Sequence, residues 1–241
     1  RSGGESSVGS RALASASGEK PAGVLLTLPA GVAELFVCSG ILWLFLFWGR
    51  SVVPAAVVKL VPVAVLIVHV ARRAGAGGMR RWMLVGLSLS LLGDLLLTKA
   101  VDQFIPGLVS FLMAHLAYIR ALQLDGAPWR AGRGVPVVVF GLGMGGLLLP
   151  SMEPLMAVAV GAYIVVISVM VWRALARVGH PGVPGTGWMA IGAMLFLSSD
   201  TMLAWSRFRA DFWGDDLLVI VTYWAAQLFL AAGAVTHRSR P

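Results

Sequence analysis

Charge is scarce in this sequence. Only 12% of its 241 residues are Asp, Glu, Lys or Arg, while 58% are hydrophobic. A soluble domain carries roughly 25% charged residues, so the chain lacks the polar skin that a water-facing surface requires. Cysteine is nearly absent. Cys38 is the single one, it lies inside an apolar run, and no intrachain disulfide can form. It reads as a small apolar side chain. There is also no basic stripe of the kind that nucleic acid requires. The formal charge is +8, but the basic residues fall in short loops between apolar runs, as membrane topology demands. Nucleic-acid binding is therefore not expected.

Apolar sequence is abundant, and it comes in runs of membrane-crossing length. Eight such runs cover about 31–48, 54–71, 82–98, 104–122, 134–150, 154–176, 186–205 and 215–236. Punctuation separates them: Arg72-Arg73-Ala74-Gly75, Asp125-Gly126-Ala127-Pro128 and His180-Pro181-Gly182. Backbone amides in lipid must bond internally, so each run is expected to be a helix of about 20 residues. The fold class that follows is an all-α membrane protein, a bundle of eight transmembrane helices within residues 24–241. Residues 1–23 are rich in Ser, Gly and Ala and read as a disordered tail. The first run reads as an uncleaved signal.

Alternating spans sort the Lys and Arg residues by side. Fourteen fall on the side of both termini, and Arg50, Lys99, Arg207 and Arg209 fall on the other, with Lys59 inside a span. The positive-inside rule then places both termini in the cytoplasm. That would be the endoplasmic-reticulum membrane of a eukaryote or the cytoplasmic membrane of a bacterium. A homo-oligomer is compatible with such a chain.

Against this background, polar groups inside spans stand out, because each costs about 2.5–3.5 kcal/mol on insertion scales. Lys59, Asp94, His115 and Asp200 are the ionisable candidates, with Tyr118, Ser199, Tyr223 and Gln227 beside them. Counting from the span ends at 1.5 Å per residue puts Lys59, Asp94 and Asp200 at one level, roughly 6–8 Å below the outer boundary. His115 and Gln227 lie nearer the midplane. These residues are expected to line one cavity. Tyr163 reads as packing, Ser198 and Ser199 as bonding back to their own helix, and Glu34 and His69 as interfacial. Lys59 has a plainer alternative, snorkelling to the interface. A metal is not expected: of the four His residues only His115 reaches this level, whereas zinc takes three or four ligands.

Ser90-Leu91-Leu92-Gly93-Asp94-Leu95 is similar to Phe196-Leu197-Ser198-Ser199-Asp200-Thr201, 106 residues later. Four spans per half would make two parallel four-helix repeats about an axis along the membrane normal. The two aspartates would then face each other.

Several segments resemble the lysoplasmalogenase family, the YhhN-like transmembrane proteins. They are Val58-Lys59-Leu60-Val61-Pro62, Gly93-Asp94, Phe111 to Tyr118, Ser199-Asp200-Thr201-Met202-Leu203-Ala204-Trp205 and Tyr223-Trp224-Ala225-Ala226-Gln227-Leu228. Their order and spacing carry the resemblance over roughly residues 31–236. The chain departs at Trp224, where many members carry a second Tyr, and at Leu60, where some carry Pro. The resemblance implies cleavage of the vinyl ether bond of a lysoplasmalogen, a lysophospholipid with an ethanolamine or choline head group. The products would be a fatty aldehyde and the glycerophospho-head group. It implies no cofactor, and it implies that Asp94 and Asp200 are the acid–base pair.

The residues suit that chemistry. A vinyl ether is protonated on carbon to give an oxocarbenium ion, which water then attacks. One carboxylic acid and one carboxylate in different surroundings divide comparable work in glycoside hydrolysis. Either aspartate could take either role, with Lys59, His115, Tyr118, Ser199, Tyr223 and Gln227 positioning substrate and water. The rival reading is a proton-coupled transporter of a small molecule or lipid using the same aspartates, since paired intramembrane carboxylates and repeats suit that function too.

Overall fold

The computed structural model describes residues 30–49 and 52–237. Those residues form eight α-helices and a short 3-10 turn: α1 Ala30–Trp48, α2 Val52–Arg73, α3 Gly78–Leu96, α4 Phe104–Gln123, α5 Ala131–Leu148 continued by Leu149–Ser151, α6 Pro154–Arg177, α7 Thr186–Phe208 and α8 Asp215–Thr236. The tail expected over 1–23 lies outside the described residues. Each helix matches one apolar run to within a few residues. Among the described residues five helices, α4 to α8, are long and apolar enough to cross a membrane. The outer faces agree with that setting. Phe45, Leu142, Leu155 and Val158 are more than two-thirds exposed, an apolar skin that water would not tolerate as a contiguous surface.

Local chemistry explains where the helices begin and end. Pro154 opens α6 at its first position, where its missing N–H costs nothing. Gly185 and Gly214 precede α7 and α8 with left-handed φ of 80° and 78°, a conformation that glycine adopts without a Cβ penalty. Pro62 sits inside α2 and Pro136 inside α5; neither ends its helix, as neighbours in an apolar bundle can compensate the freed carbonyl.

The packing runs in pairs. α1 lies against α2, α3 against α4, α5 against α6, and α7 against α8; α2 also meets α3, and α6 meets α7. Two further contacts close the bundle, α4 on α6 and α8 on α2. Close approach depends on small residues, the usual device where lipid offers no hydrophobic drive between helices. A Cβ on Gly86 would run into the ring of Tyr118, and one on Gly192 would lie 2.9 Å from the carbonyl of Ala226 and the amide of Leu230. Gly86 and Gly192 are themselves 106 residues apart.

At the end of the bundle away from Asp94 and Asp200, charge is buried. Arg173 and Arg177, which the sequence suggests as loop-side cations, are 1% and 0% exposed. Both grip Asp125 in the α4–α5 loop, Arg173 Nη2 at 3.2 Å and Arg177 Nε at 2.5 Å. Arg173 also donates to the Leu122 carbonyl and lies over the Trp129 ring. His69 is buried rather than interfacial, while Glu34 is exposed. Removing one member of a buried ion cluster leaves uncompensated charge, at a cost of about 3–5 kcal/mol. Asp125→Ala is therefore expected to lower the thermal unfolding midpoint of the detergent-solubilised protein sharply, whereas Asp125→Asn, which keeps acceptor geometry, should lose less. Equal melting curves for Asp125→Ala and wild type would refute the buried-cluster assignment.

Candidate active site

At the end of the bundle away from Asp125, polar side chains converge into two groups on either side of an aromatic hub. The first is built on α2, α3, α4 and α8. Lys59 Nζ lies 3.4 Å from Asp94 Oδ1, with the lysine side chain 23% exposed and the aspartate 3%. Lys59 thus reaches inward to a carboxylate instead of only outward to the interface. The Tyr223 hydroxyl faces the same carboxylate without completing a hydrogen bond. Beside it Tyr118 donates to Gln227 Oε1 at 2.8 Å and meets Ser90 Oγ at 3.3 Å.

The second group is built on α4, α6 and α7. The Tyr163 hydroxyl donates to Asp200 Oδ2, and His115 Nε2 lies 3.8 Å from the same oxygen. Asp200 is 14% exposed at its side chain, and it forms part of the wall of a pocket that is partly open to its surroundings. That pocket runs between α4, α5, α6 and α7, and Phe104, Phe111, Phe140, Met144, Ile164 and Phe208 are among its apolar walls. Asp200 is the only acidic residue lining it.

Phe196 is the hub between the groups. Its ring stands 4.6 Å from His115, 5.5 Å from Tyr223, 6.1 Å from Phe111 and 6.4 Å from Tyr118, all in edge or tilted geometries. Such contacts fix ring positions, each contributing about 0.5–1.5 kcal/mol beyond area burial. No hydrogen bond among the described residues joins the two carboxyl groups, yet the charge of Asp94 is within electrostatic reach of Asp200. Several buried polar atoms around the hub have no hydrogen-bond partner among the described residues: Asp94 Oδ2, both His115 nitrogens, Tyr223 Oη and Gln227 Nε2. Buried polar atoms are nearly always paired in proteins, so this concentration sets the region apart.

Seven of the sequence-predicted residues therefore gather here: Lys59, Asp94 and Tyr223; Tyr118 and Gln227; His115 and Asp200. Ser199 is close by, but its hydroxyl donates to the Val219 carbonyl on α8 at 2.9 Å, across the helix pair and not back along its own helix. Ser198 does bond back, to the Met194 carbonyl. Sequence reasoning reads Tyr163 as packing and omits Ser90 and Phe196. The signal for Tyr163 was its rarity. The chain has three tyrosines, and all three, Tyr118, Tyr163 and Tyr223, are buried at this site. Among the described residues no three His, Cys, Asp or Glu side chains come together as metal ligands would.

Comparison with known proteins places the same region in a family. The YhhN family model matches residues 54–234, which includes every residue of both polar groups. Lysoplasmalogenase TMEM86B of Sus scrofa is 35% identical over 190 residues, covering 78% of this chain and 79% of that protein. The human protein of the same name is 33% identical over 181 residues, 75% of each chain. Lysoplasmalogenase of Mycobacterium tuberculosis is 36% identical over 191 residues, 74% of this chain and 69% of the relative. No solved structure matches the chain. With its family model covering most of the chain and relatives this similar over their own length, the protein belongs to the YhhN family.

Proposed function

We propose that this protein is a lysoplasmalogenase, a membrane-embedded hydrolase that cleaves the vinyl ether of an alkenyl glycerophosphoethanolamine or glycerophosphocholine. The relatives' names support the reaction. The observation that carries it in this chain is the contrast between two buried carboxyl groups. Asp94 has a cation as its partner. Asp200 has a neutral hydroxyl as its partner and an apolar pocket in front of it.

In this reading the alkenyl chain lies in the pocket and brings its vinyl ether to Asp200. The Asp200 carboxyl gives its proton to the β carbon, and the remaining positive charge is shared between the α carbon and the ether oxygen. Water adds to the α carbon and passes a proton to the Asp94 carboxylate, whose charge Lys59 balances. The hemiacetal then gives its hydroxyl proton to the Asp200 carboxylate as the carbon–glycerol oxygen bond breaks. The glycerol oxygen takes up the proton held by Asp94, so both carboxyl groups return to their starting states and the fatty aldehyde and the glycerophospho-head group are left. Overall one water is consumed. Tyr163 contributes through Asp200: its hydrogen bond strengthens as charge develops on the carboxylate, and such charge-assisted bonds are roughly twice as strong as neutral ones. An interaction that grows toward the transition state raises turnover. His115, Tyr118, Tyr223 and Gln227 supply the polar contacts for water and the glycerol oxygens, and Ser199 holds α7 against α8.

The same proposal places the helices as eight crossings with both termini in the cytoplasm and the site in the outer half of the membrane, either the endoplasmic-reticulum membrane or a bacterial cytoplasmic membrane. It also treats the bundle as two parallel four-helix repeats. The neighbour pattern supports this, because α4 on α6 is mirrored by α8 on α2. So does the sequence: Trp82, Met83, Gly86, Leu91 and Asp94 recur as Trp188, Met189, Gly192, Leu197 and Asp200. Under this relation α2 and α6 are counterparts, although Tyr163 lies two residues before the position that matches Lys59, and the partner of one carboxyl group is ionic while that of the other is neutral.

Purified protein in detergent should release fatty aldehyde from a lysoplasmalogen, and Asp94→Asn and Asp200→Asn should each reduce that rate by about 10²–10⁴-fold, the usual contribution of a general acid or base. Aldehyde release surviving both substitutions would defeat the assigned pair, while lipid uptake into liposomes without aldehyde would favour transport. Tyr163→Phe removes one hydrogen bond to a charged group, and a loss of about 10- to 100-fold in kcat is expected with KM little changed. A change confined to KM would mean that Tyr163 shapes the pocket and does not act on Asp200.

A further inference from the structure

The proposed chemistry leaves the head group of the substrate without a partner, and one cation stands over the pocket that holds Asp200. Arg207 lies in the last turn of α7 and is exposed. Its guanidinium rests on the face of Phe104, 5.0 Å from the ring centroid. Phe104 packs edge-on against Phe208 with centroids 5.7 Å apart, and both rings line the pocket. Arg207 therefore marks the end of the pocket defined by the start of α4 and the end of α7.

Two other cations of this side are engaged. Lys59 is paired with Asp94, and Lys99 with Asp216 at 3.0 Å. Arg207 has no carboxylate within ion-pair distance among the described residues. Stacking on an aromatic face holds a guanidinium in plane while leaving its N–H edge free, and that edge matches a phosphate oxygen pair better than an ammonium does.

Helix geometry sets its distance from the acid. Seven residues from Asp200 to Arg207 make about two turns, so both side chains leave the same side of α7 with Cα atoms about 10.5 Å apart. In a lysoplasmalogen, seven bonds separate the vinyl carbon that is protonated from the phosphorus. At roughly 1.2 Å of advance per bond in an extended chain, that is about 8 Å. A substrate with its vinyl ether at Asp200 and its chain in the pocket thus carries its phosphate to the Arg207 guanidinium.

We propose that Arg207 is the phosphate-binding residue of the site and that it sets the register that brings the vinyl carbon to Asp200. This rests on the lysoplasmalogenase reading above, and it makes the enzyme selective for alkenyl lipids that carry a phosphate on the third glycerol carbon.

The test compares alkenyl glycerophosphoethanolamine with the matching alkenyl glycerol, which lacks the phosphate, on the full-length protein in neutral detergent. Wild type is expected to favour the phosphorylated substrate in kcat/KM by about tenfold or more, the value of one good charge-assisted contact. Arg207→Gln should remove that preference by raising KM for the phosphorylated substrate while leaving the neutral one unchanged, and Arg207→Lys should fall between. An equal loss on both substrates, or no loss on either, overturns the assignment. The saturated alkyl ether of glycerophosphoethanolamine reports binding without the chemistry. If its affinity falls about tenfold in Arg207→Gln while wild type releases no aldehyde from any substrate, the hydrolase reading fails and the phosphate contact stands. If its affinity is unchanged, the phosphate contact fails whatever the activity.

Discussion

The constraint on which the rest depends is the placing of two carboxyl groups inside a bundle that offers them little water. A buried charge is tolerated only with a partner, and the two aspartates find different ones. Asp94 meets Lys59 from α2. Asp200 accepts from Tyr163 on α6 and is approached by His115 on α4. An ion pair in such surroundings gains little net stability, because desolvation offsets most of the Coulomb attraction. Stability alone therefore does not account for the Lys59–Asp94 pair, and active sites are one place where such arrangements gather.

That constraint shapes the packing around it. Six helices bring their polar side chains to one place, so they have to approach closely, and Gly86 and Gly192 make room for Tyr118 and for the backbone of α8. The space between the polar groups is filled by Phe196, which touches His115, Tyr118 and Tyr223 and orients each of them. At the far end of the bundle the same rule appears in its structural form: Asp125 is held between Arg173 and Arg177, and Arg173 lies over the Trp129 ring. There the acceptor is clamped by two guanidiniums at once. Asp200 instead faces a pocket whose walls are almost wholly apolar.

Asp94 and Asp200 stand 106 residues apart in α3 and α7, in similar stretches of sequence. Their partners come from α2 and α6 and differ in kind: an ammonium in one case, a phenol in the other. Under the proposed repeat the position matching Lys59 is Val165 and not Tyr163, so the unequal surroundings arise from different positions on the two helices. Two acids that divide work, as proposed above, need such unequal surroundings.

The helices were legible from the sequence, because lipid leaves the backbone no alternative and runs such as 154–176 are apolar on every face. Most polar members of the site were legible for the same reason: Lys59, Asp94, His115 and Asp200 are conspicuous where charge is expensive. Tyr163 was not, since a tyrosine in a span packs as readily as it bonds, and only the meeting of α6 with α7 turns its hydroxyl toward Asp200. Nor could composition reveal that Arg173 and Arg177 are interior, because a cation near a span end reads as a loop charge until the partner from another helix is seen. The sequence by itself determined what each segment had to be, since burial of the backbone and the cost of charge are local facts. Which carboxyl group meets a cation, which faces a pocket, and which ring stands between them were decided only by the tertiary structure, because those depend on contacts between segments far apart in the chain.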